Sequence, residues 1–318
     1  MLTLRIALTT LFAAISFSLG AQSYPLRPVR IIVATGVGVS DDVSSRVIAE
    51  RMSTLLGQQV IVENRPGAGG LIAQNTVLKA TPNGYTLLYA GGSMAGARFA
   101  NAAVTYDLLR DFTPISLVGE SPFALGANPT LPARDIKEFI ALAKSRPNKL
   151  TYGTIGAGQM PYWSVMLFNA MTGIQALDVP FKATPEVLTD IVTGRIDYYI
   201  TGLTPLLPLK DRLRILAVTT RARTPQLPDI PTLIETGLAN YDMPGWGSIM
   251  GPAGMQREPV EILSKAIHQT LATPDVRERF EKVGTTAMSS TPAELRKRYE
   301  LWIGIFGKIA KDVGLKPQ

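Results

Sequence analysis

Short apolar runs alternate with longer stretches in which apolar residues recur every three or four positions, and the alternation continues through most of the 318-residue chain. Val29-Arg30-Ile31-Ile32-Val33 predicts a strand. From Asp42 onward, Val43, Val47, Met52 and Leu55 or Leu56 fall at near-helical spacing, and Gly57 supplies a stop. A strand over 60–62, a helix over 71–79 and a strand over 85–90 follow. Strands separated by helices imply parallel neighbours, because a parallel pair needs a crossover. The same grammar returns later: a strand over 151–154, a loop over 155–159, and a helix carrying Trp163, Met166 and Leu167. Beyond it come a strand over 176–181, a helix from Thr184 through Ile191, strands over 196–200 and 213–219, and closing helices over 259–271 and 292–309. Two such series predict a two-domain α/β protein whose cleft lies at the carboxyl ends of the strands. No short-period repeat or low-complexity segment interrupts this pattern, so neither a solenoid nor a disordered tail is expected.

Residues 1–23 break it. Arg5 precedes an uncharged, mostly apolar run over 6–19, and the small residues Gly20, Ala21 and Ser23 follow. This reads as a cleavable export signal, too short for a comfortable membrane span of roughly 20 apolar residues; the alternative is an uncleaved anchor. The rest of the chain, at 46% apolar content, has material for two buried cores. The chain has no cysteine, which removes disulfides, thiol nucleophiles and Cys-held metals together, and its single histidine, His268, leaves little room for a His-based metal site. The net charge of +7 falls to +6 without Arg5 and is scattered. Arg296-Lys297-Arg298, flanked by Glu294 and Glu300, reads as a solvated helix face rather than a nucleic-acid footprint.

Val60-Ile61-Val62-Glu63-Asn64-Arg65-Pro66-Gly67-Ala68-Gly69-Gly70 is the most specific stretch of the chain. It runs a strand into a glycine-rich turn that must bring backbone close to something. It resembles the E-N-R-P-G-A-G-G signature of the tripartite tricarboxylate transporter substrate-binding (Bug-type) receptors. Further segments are similar in the same order: 81–88 to P-x-G-Y-T-L-L, 106–118 to Y-D-x-x-x-D-F-x-P-x-S-L-V, 216–219 and 227–232 to L-A-V-T and L-P-D-V-P-T, and 251–254 to A-P-A-G. The resemblance implies a two-lobed periplasmic-binding-protein fold of type II, with parallel-rich sheets, helices on both faces and two crossing strands as a hinge. Lobe 1 would take 24–120 plus 248–318 and lobe 2 121–247, with crossings near 119–123 and 246–249. It also implies a periplasmic, monomeric receptor that binds a small organic carboxylate and passes it to membrane transporter subunits, with no cofactor, no metal and no nucleic acid.

Candidate ligand residues follow from the loops. The loop over 35–42 precedes a helix N-terminus, whose free N–H groups and dipole suit a carboxylate. It is similar to the family's F-P-P-G-G-G-T-D but keeps only Gly38 and Asp42. Thr35, Gly38, Ser40 and Asp41 are expected to line the site, and Asp42 either caps the helix or meets ligand. Gly36-Val37-Gly38 after a strand also suggests a dinucleotide loop, but Asp41 stands where the third glycine belongs and would repel a pyrophosphate. Ser93 ends the third strand, and Arg98 beyond it either pairs with a second carboxylate or faces solvent. Thr154, Gly156, Gly158 and Gln159 match the family's S-x-G-x-G-[ST] loop, and Tyr162 stands where many relatives carry His. Phe181 replaces the Tyr of V-P-Y-K-G, with Lys182 open to an ion pair or a ligand contact. Thr201 replaces an Asp frequent in relatives, which argues against amino-acid ligands. Trp246 either covers the cleft or sits in a core. The lost polar groups predict a carboxylate with an apolar or aromatic body.

Enzyme readings are weak. His268 falls with Glu261 and Lys265 opposite the apolar stripe of its helix, away from any cleft, so a Ser-His-Asp hydrolase lacks its base. Adjacent Asp41 and Asp42 are not the opposed carboxylates of a glycosidase. A solute sensor that docks on a signalling partner shares every feature of the receptor, and an exported hydrolase is the remaining alternative.

Overall fold

A computed structural model of the chain describes residues 24–156 and 158–317; the expected export signal over 1–23 lies outside the described residues. Strand β1 (Val29–Val33) leads through a loop to helix α1 (Ser40–Leu56), which stops at Gly57 in a left-handed conformation. Strand β2 (Val60–Asn64), helix α2 (Leu71–Leu78) and strand β3 (Thr86–Gly91) complete a parallel set, with β1 between β2 and β3. Both faces of β1 are buried: Val29, Ile31 and Val33 point into one apolar cluster and Ile32 into another, as the two-residue period of a strand requires. Helix α1 packs on the first face and α2 on the second, through Val47, Ile48 and Met52 and through Ala73 and Val77.

Strand β4 (Phe112–Ser121) then runs straight into β5 (Phe123–Ala127), which belongs to a second sheet. Pro122 separates them. It has no N–H to offer a ladder, and its carbonyl accepts from the Leu203 N–H. The second sheet is built from β5, helix α3 (Ile136–Ser145), β6 (Thr151–Thr154), helix α4 (Met160–Thr172), β7 (Leu177–Pro180), helix α5 (Thr184–Val192), β8 (Tyr198–Gly202) and β9 (Arg214–Val218), with strand order β7-β6-β8-β5-β9. The chain returns through a second proline, Pro244. Met243 still bonds Thr219 of the second sheet, and β10 (Gly245–Pro252) pairs with the first from its opening residue. Residues 246–249 therefore lie inside the first sheet, and the switch falls just before them. Helices α6 (Arg257–Ala272) and α7 (Pro274–Lys282), the short strand β11 (Thr286–Ala287) and helix α8 (Pro292–Asp312) finish the chain. The first sheet reads β11-β4-β10-β3-β1-β2. It is mixed, because β10 runs antiparallel to both β3 and β4, and β5 is likewise antiparallel to β8 and β9.

The two halves touch directly. Trp163 of α4 is fully buried and stacks on Phe306 of α8, with ring centroids 4.8 Å apart. Gly96 lies beneath the pair, where a Cβ would come within 2.6 Å of the indole and 2.8 Å of Phe306. Helix α8 is fixed at its start by a reciprocal cap: the Thr291 hydroxyl accepts from the Glu294 N–H, and the Glu294 carboxylate accepts from the Thr291 N–H. Thr291→Ala is expected to lower stability by about 1 kcal/mol in urea denaturation, and Thr291→Ser to leave it nearly unchanged.

Candidate functional site

The carboxyl ends of β3 and β4 in the first sheet and of β8 in the second, with the starts of the helices that follow β1 and β6, converge on a cavity of about 240 Å³. That is below the roughly 300–1,000 Å³ of pockets that hold drug-sized ligands, and it suits a small solute. Ser40 and Asp41 enter from the start of α1, Tyr89 and Ser93 from the end of β3, Gln159 and Met160 from the start of α4, and Thr201 from β8. The crossing segments add Phe123 and Trp246. Val39 and Gln159, the residues preceding α1 and α4, give those helices no side-chain cap, so both present free backbone N–H groups on this side.

The loop over 34–42 is held from behind. Asp42 is buried. It accepts from the Gly38 N–H at 2.8 Å and from Asn64 Nδ2 at 2.8 Å, and it pairs with Arg46 at 2.9 Å. Burial alone would raise its pKa, but the bonds from Arg46, Gly38 and Asn64 together with the Arg46 charge hold it below the usual carboxylate range. The same Asn64 amide donates to the Thr35 carbonyl at 3.0 Å, and Gly70 packs on Ala34. The glycine-rich stretch after β2 thus braces the β1–α1 loop and contributes no lining residue to the cavity.

Asp41 has the opposite environment. Desolvation pushes its carboxyl up to about 6. The Tyr89 phenol is raised well above its ordinary value by burial and then by the Asp41 charge. Trp246 is 5% exposed, its indole N–H lies against Gly92 on the cavity wall, and it finds no acceptor among the described residues. Gly92 is required there, since a Cβ would overlap the indole, and Gly247 is required opposite, where a Cβ would overlap the Tyr89 hydroxyl.

The other expected ligand residues lie outside this cavity. Thr35 and Gly38 belong to the braced loop. The buried Thr154 hydroxyl donates to Asp178 at 2.7 Å. Gly156 is exposed with φ +112°, and Gly158 packs near Ala100. Tyr162 is buried with its ring edge-on to Trp163, and Phe181 lines a separate shallow pocket with Lys182 and Glu186. Arg98 pairs with Asp107 at 3.7 Å on the surface. His268 is exposed, its Nδ1 2.8 Å from the Ser289 hydroxyl. Sequence reasoning missed Tyr89 and Phe123. Their only signal is position, one at the end of a strand and one just past the Pro122 crossing.

A larger groove of about 1140 Å³ runs behind the crossings, past Glu120, Arg221, Lys297 and Arg298. Four of its charged side chains neutralise each other in pairs, Glu120 on Arg298 and Arg221 on Asp242, and it shares only Ser121 and Thr285 with the smaller cavity. The smaller cavity is therefore the candidate site. Among the described residues no three His, Asp or Glu side chains are grouped to hold a metal, and no helix is long and apolar enough to cross a membrane.

Known proteins share this arrangement. The family model for the tripartite tricarboxylate transporter family receptor matches residues 44–301. A UPF0065 protein of Bordetella bronchiseptica is 35% identical over 307 residues, covering 93% of this chain and 89% of its own. BugT of Bordetella pertussis is 30% identical over 301 residues, 92% of each chain. Among solved structures, an R. palustris protein with adipate matches with a TM-score of 0.83 at 30% identity, over 93% of this chain and 100% of that one. MatC from Rhodopseudomonas palustris with bound malate matches with a TM-score of 0.79 at 29% identity, over 90% and 100%. The two mixed sheets with helices on both faces are the two-lobed, type II periplasmic-binding-protein fold that the resemblance implied.

Proposed function

The chain belongs to the tripartite tricarboxylate transporter receptor family, and from that premise we propose that it captures a small carboxylate in the cavity between its lobes and delivers it to a tripartite tricarboxylate-type membrane transporter. The observation that carries this reading is the partly open cavity at the strand ends of both sheets, in a fold whose relatives are solved with adipate and with malate. Two uncapped helix N-termini supply donors for an anion. The walls contributed by Phe123, Met160 and Trp246 favour a ligand with an apolar or aromatic body. The reading includes export to the periplasm by the leader over 1–23, function as a monomer, and binding without chemical turnover.

The test is a thermal-shift screen of the purified protein against mono-, di- and tricarboxylates, aromatic acids and amino acids. Because a ligand that binds only the native state adds RT ln(1 + [L]/Kd), a specific one at 100 times its Kd is expected to add about 2.7 kcal/mol. The ligand should be recovered unaltered after prolonged incubation. A screen in which no carboxylate raises the melting temperature would sink the proposal, and a chemically changed ligand would replace the receptor with an enzyme.

A further inference from the structure

The cavity contains one side chain that is ionised near neutral pH, and it is an acid. Among the described residues that line it, α1 supplies Asp41, β3 supplies the Tyr89 phenol, and the contributions of α4, β8 and the crossings are uncharged. No lysine, arginine or histidine among the described residues reaches it. Two nearby cations are already paired: Arg298, over the Trp246 ring at 5.0 Å, with Glu120, and Arg46 with Asp42. Asp41 makes one hydrogen bond beyond the helix ladder, through its backbone carbonyl to the Ser45 hydroxyl; its carboxylate takes part in none among the described residues. Its neighbour Asp42 shows what a satisfied carboxylate looks like in this loop, with the Gly38 N–H, the Asn64 amide and the Arg46 guanidinium around it. The start of α4, uncapped at Gln159, brings free backbone N–H groups to the same cavity.

An unpaired acid and an uncapped helix start in one small cavity ask for a ligand with both signs. A dicarboxylate would satisfy the helix start but would press its second carboxylate toward Asp41 with no cation between them, and like charges sharing a site disfavour each other. We propose that the solute is a zwitterion, with an ammonium-type nitrogen on Asp41 and a carboxylate held by the uncapped start of α4. The acceptor that Thr201 lacks is then supplied from the opposite wall, which reverses the expectation against amino-acid-like ligands. Apolar chain or ring between the two charges lies along Phe123 and Met160. The inference rests on the proposed function, that this cavity is the carboxylate-binding site.

Matched ligands separate the two ideas. Calorimetric titrations at pH 7.5 would compare adipate with 6-aminohexanoate, succinate with 4-aminobutanoate, and 3-phenylpropionate with phenylalanine, on the wild type and on Asp41→Asn. Each pair differs only by the ammonium or by its replacement of one carboxylate. The ammonium member of at least one pair is expected to bind about tenfold or more tighter to the wild type, and Asp41→Asn to lose that preference. On the wild type, dicarboxylate binding should strengthen as the pH falls through about 6, and on Asp41→Asn it should stay flat. If every pair favours the member without nitrogen on the wild type, the zwitterion is overturned and the receptor stands. If no compound binds either protein, both are overturned.

Discussion

Asp41→Asn is expected to stabilise the ligand-free protein at pH 8 by about 2–3 kcal/mol, and to do nearly nothing at pH 3.5. The folded protein holds the Asp41 proton up to about pH 6, against an ordinary aspartate value of 3.8. A gap of roughly two units corresponds to about 3 kcal/mol, less whatever water at the partly open cavity screens. The sign follows from the protons. Between about pH 4 and 6 the folded state binds more of them than the unfolded chain, so stability falls as the pH rises and the penalty is complete above 6. Asparagine has the same shape without the charge and should remove that pH dependence. Urea denaturation of both proteins at pH 3.5, 5 and 8 measures it; parallel curves would mean that Asp41 is solvated in the folded state. A binding site that retains an unpaired acid at this cost is giving up stability for recognition.

Trp163→Ala should be the most damaging single substitution of the interlobe contact, at about 3–5 kcal/mol. It removes a fully buried indole, its stack on Phe306 and the bond from its N–H to the Gly158 carbonyl at 3.2 Å. Trp163→Phe keeps a ring against Phe306 and should lose about 1–2 kcal/mol, mostly from the orphaned carbonyl and the smaller ring. Denaturant midpoints test the energies. Because Trp163 and Phe306 belong to different lobes, small-angle scattering should also show a larger radius of gyration for the alanine variant under native conditions. Equal stability of the alanine variant and the wild type would mean that the contact contributes nothing to the fold.

Much of the architecture was readable because its strands are buried on both faces and so appear as unbroken apolar runs. The bounds expected for β1 match the strand, and those for β2, β3 and α2 differ from it by a residue or two. Helix α7 was missed because its nine residues carry only Val276 and Phe280 as buried anchors. Helix α3 did carry a signal, since the Asp135 carboxylate accepts from the Glu138 N–H in a capped start before Phe139 and Ala143. The antiparallel direction of β5 and β10 was not legible. Each follows a strand or loop through one proline with no crossover helix, and no local pattern tells which neighbours such a strand will join. In the site, loops at strand ends pointed to Ser40, Asp41, Ser93, Gln159 and Thr201, all of which line the cavity. Phe181 is elsewhere because it follows β7, the edge strand, one place beyond β6. Tyr162 is adjacent to Trp163 on a helix that is buried nearly all round, and no periodicity tells which residues of such a helix face a cavity.

The position of β10 between β3 and β4 has a consequence for the order in which the chain can become a protein. β3 and β4 follow one another in sequence but never pair; the ladder that joins them is made by residues 245–252. A growing chain that has reached Ser121 holds two halves of a sheet, each with an open edge, and they stay open through all of the second lobe. That second sheet, over 123–218, lies within one continuous segment and has every strand it needs before β10 exists. The inserted lobe is thus free to finish first, and the lobe that begins the chain is the last to close. Its late contacts join residues more than a hundred positions apart, the kind of pairing that folds slowly because a long loop must close before it is rewarded. A chain with that schedule stays threadable along its leading end until nearly all of it has been made.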